Sequence, residues 1–173
     1  GLPTIGEVQL ANGTAVANGA VLTAAELAGL RYLPPAEYDG VAPVGTFAYS
    51  VSDGISAVNG GTTITVSAVN DPPAAFDDAR TTGENSTLSA SVPAGSDADG
   101  TISSYALVGN VGANNGTLTF NNDGSYSFAT GSDFDNLAAG QSRQVTFTYT
   151  ATDNDGAVSA PATVTITVSG AND

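Results

Sequence analysis

The apolar positions of this chain alternate with threonine and serine far more often than they recur at helical spacing. "QVTFTYTAT" (144–152) and "ATVTITVSG" (162–170) place an apolar side chain at nearly every second residue, the period of a strand with one face buried. "GTFAYSVSD" (45–53), "TTITVSAVN" (62–70), "TISSYALVG" (101–109) and "GTLTFNNDGSYSF" (116–128) read the same way. Phe47, Tyr49, Phe147 and Tyr149 fall on the apolar phase and are expected in the core. Asn-Gly or Asp-Gly pairs recur between the runs, as at 53–54, 123–124 and 155–156. Such pairs accept the positive φ of tight turns, and within 116–128 they predict a hairpin. The best helical stretch, "TAAELAGL" (23–30), is about two turns long and is expected to lie over one end. Many short strands parted by turns predict an all-β chain of β-sandwiches.

The pattern is written twice. Phe47, Tyr49 and Asp53 return as Phe147, Tyr149 and Asp153, and "TITVSAVND" (63–71) returns as "TITVSGAND" (165–173). The offset is 100 residues at first and 102 at the end, so the chain reads as tandem domains of immunoglobulin-like size. The boundary is placed at the "VNDPPAA" joint, whose prolines stiffen it. Residues 1–72 then form the closing portion of one sandwich and residues 73–173 a whole one. Phe147 stands 74 residues into its unit and Phe47 only 46 into the chain, a shortfall of 28. "GEVQLANG" near the start aligns with "GTLTFNND" of the second unit. The first sandwich is therefore expected to lack its opening strands. A boundary of the piece is the preferred explanation, and completion by strand exchange with other copies is the alternative.

Composition narrows the chemistry. The chain of 173 residues has no Cys and no His, and its only basic residues are Arg31, Arg80 and Arg143. Thiolate and imidazole catalysis, thiolate and imidazole metal sites, and Schiff-base lysine are excluded. A pair of carboxylates could still hydrolyse glycosides, but no Trp is present to stack on a sugar. No enzymatic activity is expected. The formal net charge is −14, which disfavours nucleic acid and anionic membranes and favours cations. No apolar run approaches the roughly 20 residues of a membrane span, and no signal peptide is visible. The Asn-x-Ser/Thr triplets at Asn12, Asn85 and Asn115 matter only in a glycosylating pathway.

Acidic turns are the remaining chemistry. In "SDADGT" Asp97 and Asp99 are two apart, so an extended segment points both carboxylates to one side. Two anions so placed need solvent or a shared cation, and calcium takes oxygen ligands of the kinds abundant here. The motif alone is weak. "DNDG" (153–156) lacks the spacing of a helix-loop calcium site, and Asp77-Asp78 and Asp133-x-Asp135 are expected to be solvated.

"YTATDNDGAVSAPATVTITVSGAND", the joint "VNDPPAAFDDARTTGENS" and the "SDADG" turn together resemble the cadherin-like and VCBS-type repeats of large bacterial surface adhesins of the RTX type. The resemblance covers the second unit and the last two-thirds of the first. It implies Greek-key sandwiches with calcium where consecutive repeats meet. By matching position it implies Asn70 and Asp71 as joint ligands, Glu84 as the acidic residue near the start of the repeat, Asp97 and Asp99 as the paired ligands, and Asp153 at the end of its strand. Asp53, Asp155, Asn172 and Asp173 are secondary candidates, Asp53 facing a preceding joint and Asn172 and Asp173 a following one. Thr101 and Asn85 stand where the family often has acidic residues. The implied function is a calcium-rigidified extender module, extracellular or on the cell surface, whose partners are neighbouring repeats of the same polypeptide. A filament subunit completed by strand exchange, and a carbohydrate- or protein-binding module, are the alternatives.

Overall fold

The alternation of the second unit becomes two long strands, β10 (Ser142–Asp153) and β11 (Ala162–Ser169), paired antiparallel from Ser142↔Ser169 to Tyr149↔Ala162. Their apolar phase is buried, with Phe147, Tyr149, Val164, Ile166 and Val168 at most 1% exposed. The threonines between the apolar residues of β11 are only half-buried. This computed structural model describes residues 1–36, 38 and 44–171, and the chain divides into two compact units, Gly1–Val69 and Asn70–Asp173. The division falls three residues ahead of the boundary placed from sequence, and it puts Asn70 and Asp71 with the second unit.

The second unit is a β-sandwich. Its other strands are β5 (Asp78–Gly83), β6 (Thr87–Ser91), β7 (Ile102–Gly109), β8 (Thr117–Phe120) and β9 (Ser125–Ala129). One sheet has the order β5-β11-β10-β7 and the other β6-β9-β8, so the chain crosses between sheets after β5, β6, β7 and β9. β5 runs parallel to β11 and the other pairs are antiparallel. Between the sheets Phe147 meets Tyr126 and Phe120 edge-on, with ring centroids 5.0 and 5.9 Å away. Contacts of this kind add about 0.5–1.5 kcal/mol each beyond area burial. The expected hairpin is β8–β9. Gly124 in its turn has φ +83°, and a Cβ there would lie 2.9 Å from Val92, so both conformation and space require glycine.

The first unit contains β1 (Glu7–Gln9), α1 (Ala24–Ala28), β2 (Arg31–Leu33), β3 (Gly45–Ser52) and β4 (Ala57–Ile64). Thr23 and Glu26 form a capping box at the start of α1, satisfying amides that have no partner within the helix. Two-stranded sheets pair β1 with β2 and β3 with β4. The β3–β4 hairpin keeps the register of β10–β11: Phe47↔Thr62 and Tyr49↔Gly60 repeat Phe147↔Val164 and Tyr149↔Ala162.

Two expectations are corrected here. The last strand ends at Ile64 rather than running through residue 70, whereas β11 continues to Ser169 with β5 along its far side. Among the described residues of the first unit no strand takes the place of β5 beside β4. Tyr49 and Phe47 are also not fully buried. Tyr49 is 40% exposed where Tyr149 is 0% exposed, and Phe47 is half-buried. The residues that cover Tyr149 have only partial counterparts around Tyr49.

Candidate metal centre

Asp153 ends β10, and its carboxylate builds the turn that follows. Oδ1 accepts from the Asp155 and Ala157 amides at 2.9 Å each, and Oδ2 accepts from the Asn70 side-chain amide at 2.8 Å. Burial disfavours its charge, but the Asn70 bond and the Ala157, Asp155 and Gly156 amides outweigh it and hold the carboxyl below its ordinary value. Asn70 is thus tied to the end of β10. The chain after it is pinned by a two-way bridge in which the Ala74 amide donates to the Ser96 carbonyl at 2.7 Å and the Ala74 carbonyl accepts from the Ser96 amide at 3.0 Å. That bridge lays the joint along the acidic turn.

In the turn, Asp97 and Asp99 are half-buried and Ala98 is exposed, the alternation expected for two carboxylates on one side. Asp99 Oδ2 accepts from the Asp71 amide at 3.1 Å. Both oxygens of Asp97 and Oδ1 of Asp99 are buried without a hydrogen-bond partner. Burial raises the Asp97 pKa, and the charges of Asp99 and Asp153 raise it further. The nearby Ala98 and Asp99 amides pull the other way, but neither makes a hydrogen bond to it. Gly100 completes the cradle: a Cβ there would stand 2.5 Å from Asn154 Oδ1 and 2.6 Å from Asp97 Oδ2.

Neither arginine of the second unit answers this charge. Arg80 pairs with Asp78 at 2.7 Å, and Arg143 donates to the Asn114 and Asp133 carbonyls and lies over the Phe134 ring. Among the described residues no three acidic side chains are drawn into a closed metal cage. The donor set is nevertheless all oxygen, with buried carboxylate atoms that lack any donor, and it fits a hard divalent cation.

Residues 70–170, the stretch that builds this turn and its sandwich, match the bacterial cadherin-like domain. The chain belongs to the bacterial cadherin-like domain family. Among solved structures the cadherin-like chain is similar to PcdhgB3 EC1-4, with 20% identity over 81% of this chain and 35% of that one and a TM-score of 0.42. It is also similar to the fibronectin(III)-like modules of Clostridium thermocellum CbhA, with 18% identity over 98% and 81% of the two chains and a TM-score of 0.34. A third similarity is to the 2,6-sialyltransferase of Photobacterium sp. JT-ISH-224, with 13% identity over 54% and 17% and a TM-score of 0.36. The chain spans between 17% and 35% of the length of the first three solved structures it resembles. No curated protein matches it.

The cadherin-like unit does not bring all the candidate ligands together. Asn70, Asp71, Asp97, Asp99 and Asp153 share one pole. Glu84 sits at the other. It follows β5, which ends opposite Ser169, the partner of Ser142 at the far end of β10. At about 3.3 Å per residue, β10 separates the poles by about 35 Å. Glu84 is fully buried. Its Oε1 accepts from the Ala171 amide at 2.6 Å, its Oε2 has no partner, and its carbonyl receives the Thr130 hydroxyl. Parallel pairing of β5 with β11 carries Glu84 to the exit of the unit.

Asp155 is exposed and accepts from the Asn154 side chain. Asp53, in the first unit, repeats the Asp153 turn. Its Oδ1 accepts from the Ser56 and Ile55 amides at 2.7 and 2.9 Å, and these bonds lower its pKa. Asn172 and Asp173 lie outside the described residues. Sequence reasoning missed Asn154, whose Oδ1 accepts from the Thr101 amide at 2.7 Å and locks the acidic turn to the turn after β10. The signal was Thr101, whose hydroxyl donates to the same Asn154 oxygen at 3.3 Å and which stands where the family often has an acid.

Proposed function

We propose that this chain is a non-enzymatic extender module of a large bacterial adhesin, rigidified by calcium and acting outside the cell in surface or biofilm attachment at a distance. The observation that carries the reading is the set of three buried, unpartnered oxygens of Asp97 and Asp99 beside the Asn70–Asp71 joint. Each residue has a role. Asp97 and Asp99 supply the charged oxygens, and Asp71 adds a carboxylate from the joint. Asn70 spends its amide N–H on Asp153, which leaves its amide oxygen as a further donor. Asp153 braces turn and joint together. Calcium, when bound, supplies the positive charge the cluster lacks and takes about six to eight oxygens. A neighbouring repeat of the same polypeptide completes the set, and Glu84 serves the following joint in the same way.

Without a cation the carboxylates oppose the close approach of joint and turn; with one, the joint stiffens. The stabilisation grows with the logarithm of calcium over its dissociation constant, and extracellular sites of this class work in the millimolar range. Among the described residues no helix is long and apolar enough to cross a membrane, and the charge of −14 disfavours nucleic acid.

Calcium titration of the intact chain, followed by thermal melting and small-angle scattering, tests this reading. A higher melting temperature and a longer maximum dimension are expected with calcium. The Asp97→Ala/Asp99→Ala double variant should lose both responses. If it keeps them, the ligand assignment fails.

A further inference from the structure

We infer that Asn154, without being a ligand itself, is the positioning residue that holds the Asp97–Asp99 turn in its cation-ready shape and so sets the affinity of the site. That role rests on the calcium reading of the same turn and extends it to a residue outside the ligand set.

The acidic turn is a short irregular span between two ends that are tied down. At its start Ser96 is held by the two-way bridge to Ala74, and the Gly95 amide donates to the Tyr105 hydroxyl at 2.9 Å. At its other end β7 meets β10, but the register slips there. Ser104 faces Thr152 and Ile102 faces Asp153, so Ser103 has no partner of its own in the ladder. Side chains supply the missing ties. The Ser103 hydroxyl lies 3.0 and 2.6 Å from the Thr152 and Asp153 carbonyls, to which it donates. Asn154 then grips Thr101 with backbone and side chain together. Its amide donates to the Thr101 carbonyl at 3.0 Å, and its Oδ1 accepts from the Thr101 amide at 2.7 Å and from the Thr101 hydroxyl at 3.3 Å.

The side chain can face only one way. Its Nδ2 donates to Asp155 Oδ2 at 2.8 Å, so an inverted amide would set donor against donor at Thr101 and acceptor against acceptor at Asp155. Both lone pairs of Oδ1 are taken up by Thr101, which makes Asn154 a support for the site and not one of its donors. It nevertheless stands beside them. The Cβ that Gly100 lacks would fall 2.5 Å from Asn154 Oδ1 and 2.6 Å from Asp97 Oδ2, so amide and carboxylate share one flank of that glycine. Asp97 and Asp99 keep three buried oxygens without a donor, and their mutual repulsion works to open the turn. The grip on Thr101 opposes that opening. Carboxylates already held in place lose little freedom when a cation arrives, whereas a slack turn must be ordered at that moment. Asn154 is exposed, so its loss takes little from the core and leaves the sandwich standing.

The test uses the intact chain and calcium chloride. Titration calorimetry reads the affinity, melting reads the fold, and hydrogen exchange at the Thr101 amide in chelator reads the grip. Asn154→Ala should weaken calcium binding about 10–100-fold, as loss of an outer-shell partner does. It should also speed exchange at Thr101 without metal and leave the melting temperature in chelator near that of the parent. Asn154→Asp keeps an acceptor for the Thr101 amide and should restore slow exchange there. The role is overturned by an Asn154→Ala variant that binds calcium as tightly as the parent or keeps Thr101 protected. It is overturned equally by a melting temperature that falls by the same amount with and without calcium, or by Asn154→Asp exchanging as fast at Thr101 as Asn154→Ala. A parent chain that takes up no calcium overturns the calcium reading itself, and this role with it.

Discussion

Asp97 and Asp153 lie in one acidic cluster yet titrate in opposite directions. Burial and two neighbouring carboxylates raise the Asp97 pKa above 3.8, while amide bonds hold that of Asp153 below it. The consequences for stability are opposite in sign. Asp153 contributes stability that is present above the ordinary carboxylate pKa and lost as pH falls through its own lowered value. Asp97 costs stability once pH rises through its raised value. Asp97→Asn should therefore raise the melting temperature of the chelator-treated protein at neutral pH and flatten its pH dependence above the ordinary carboxylate pKa, while removing the calcium response. A melting curve series across pH, with and without calcium, checks both halves. A variant that melts lower than the parent in chelator would contradict the repulsion argued here. The Asp97/Asp99 pair was legible from its two-residue spacing. The bond from the Thr101 amide to Asn154 was not, because it joins turns 53 residues apart.

At the scale of elements, one hairpin is used in two settings. β3–β4 and β10–β11 share a register, but only the second is enclosed. Phe147→Ala should cost about 3–5 kcal/mol in the unfolding of its unit, as large core truncations do. Phe47→Ala should cost the first unit less than that, because Phe47 keeps part of its surface in water. Calorimetry of the two variants measures the difference. A similar loss in both would mean that the first unit buries its hairpin as fully as the second. The long strands were legible because alternating Val, Ile, Phe and Tyr leave no other period. β5 and β6 were not. "DARTTG" has no large apolar residue, and "TLSAS" is only five residues long with Leu88 and Ala90 half-buried. Both are held by partners distant in sequence, so pairing rather than propensity makes them strands.

For the whole molecule, the internal repeat made the tandem plan readable, but not which pole each acid occupies. That depends on β5 crossing parallel to β11, a pairing no local pattern announces. Glu84 is consequently at the exit of its unit and the Asp97–Asp99 turn at the entrance, so the calcium reading proposed above assigns them to different joints. The parallel ladder has a mechanical consequence as well. β5 enters the unit at the pole where β11 begins, and β11 leaves at the opposite pole, with six residue pairs in register from Asp78↔Val164 to Gly83↔Ser169. Tension applied through the chain slides these neighbours past one another, so the bonds between them are loaded together instead of opening one at a time. Single-molecule extension of the intact chain should show the second unit yielding at high force, and Thr82→Pro, whose amide shares the strand phase of the Glu84 amide that donates to Ser169, should lower the force. For any domain pulled through its two ends, resistance to shear is set by where the first and last strands meet.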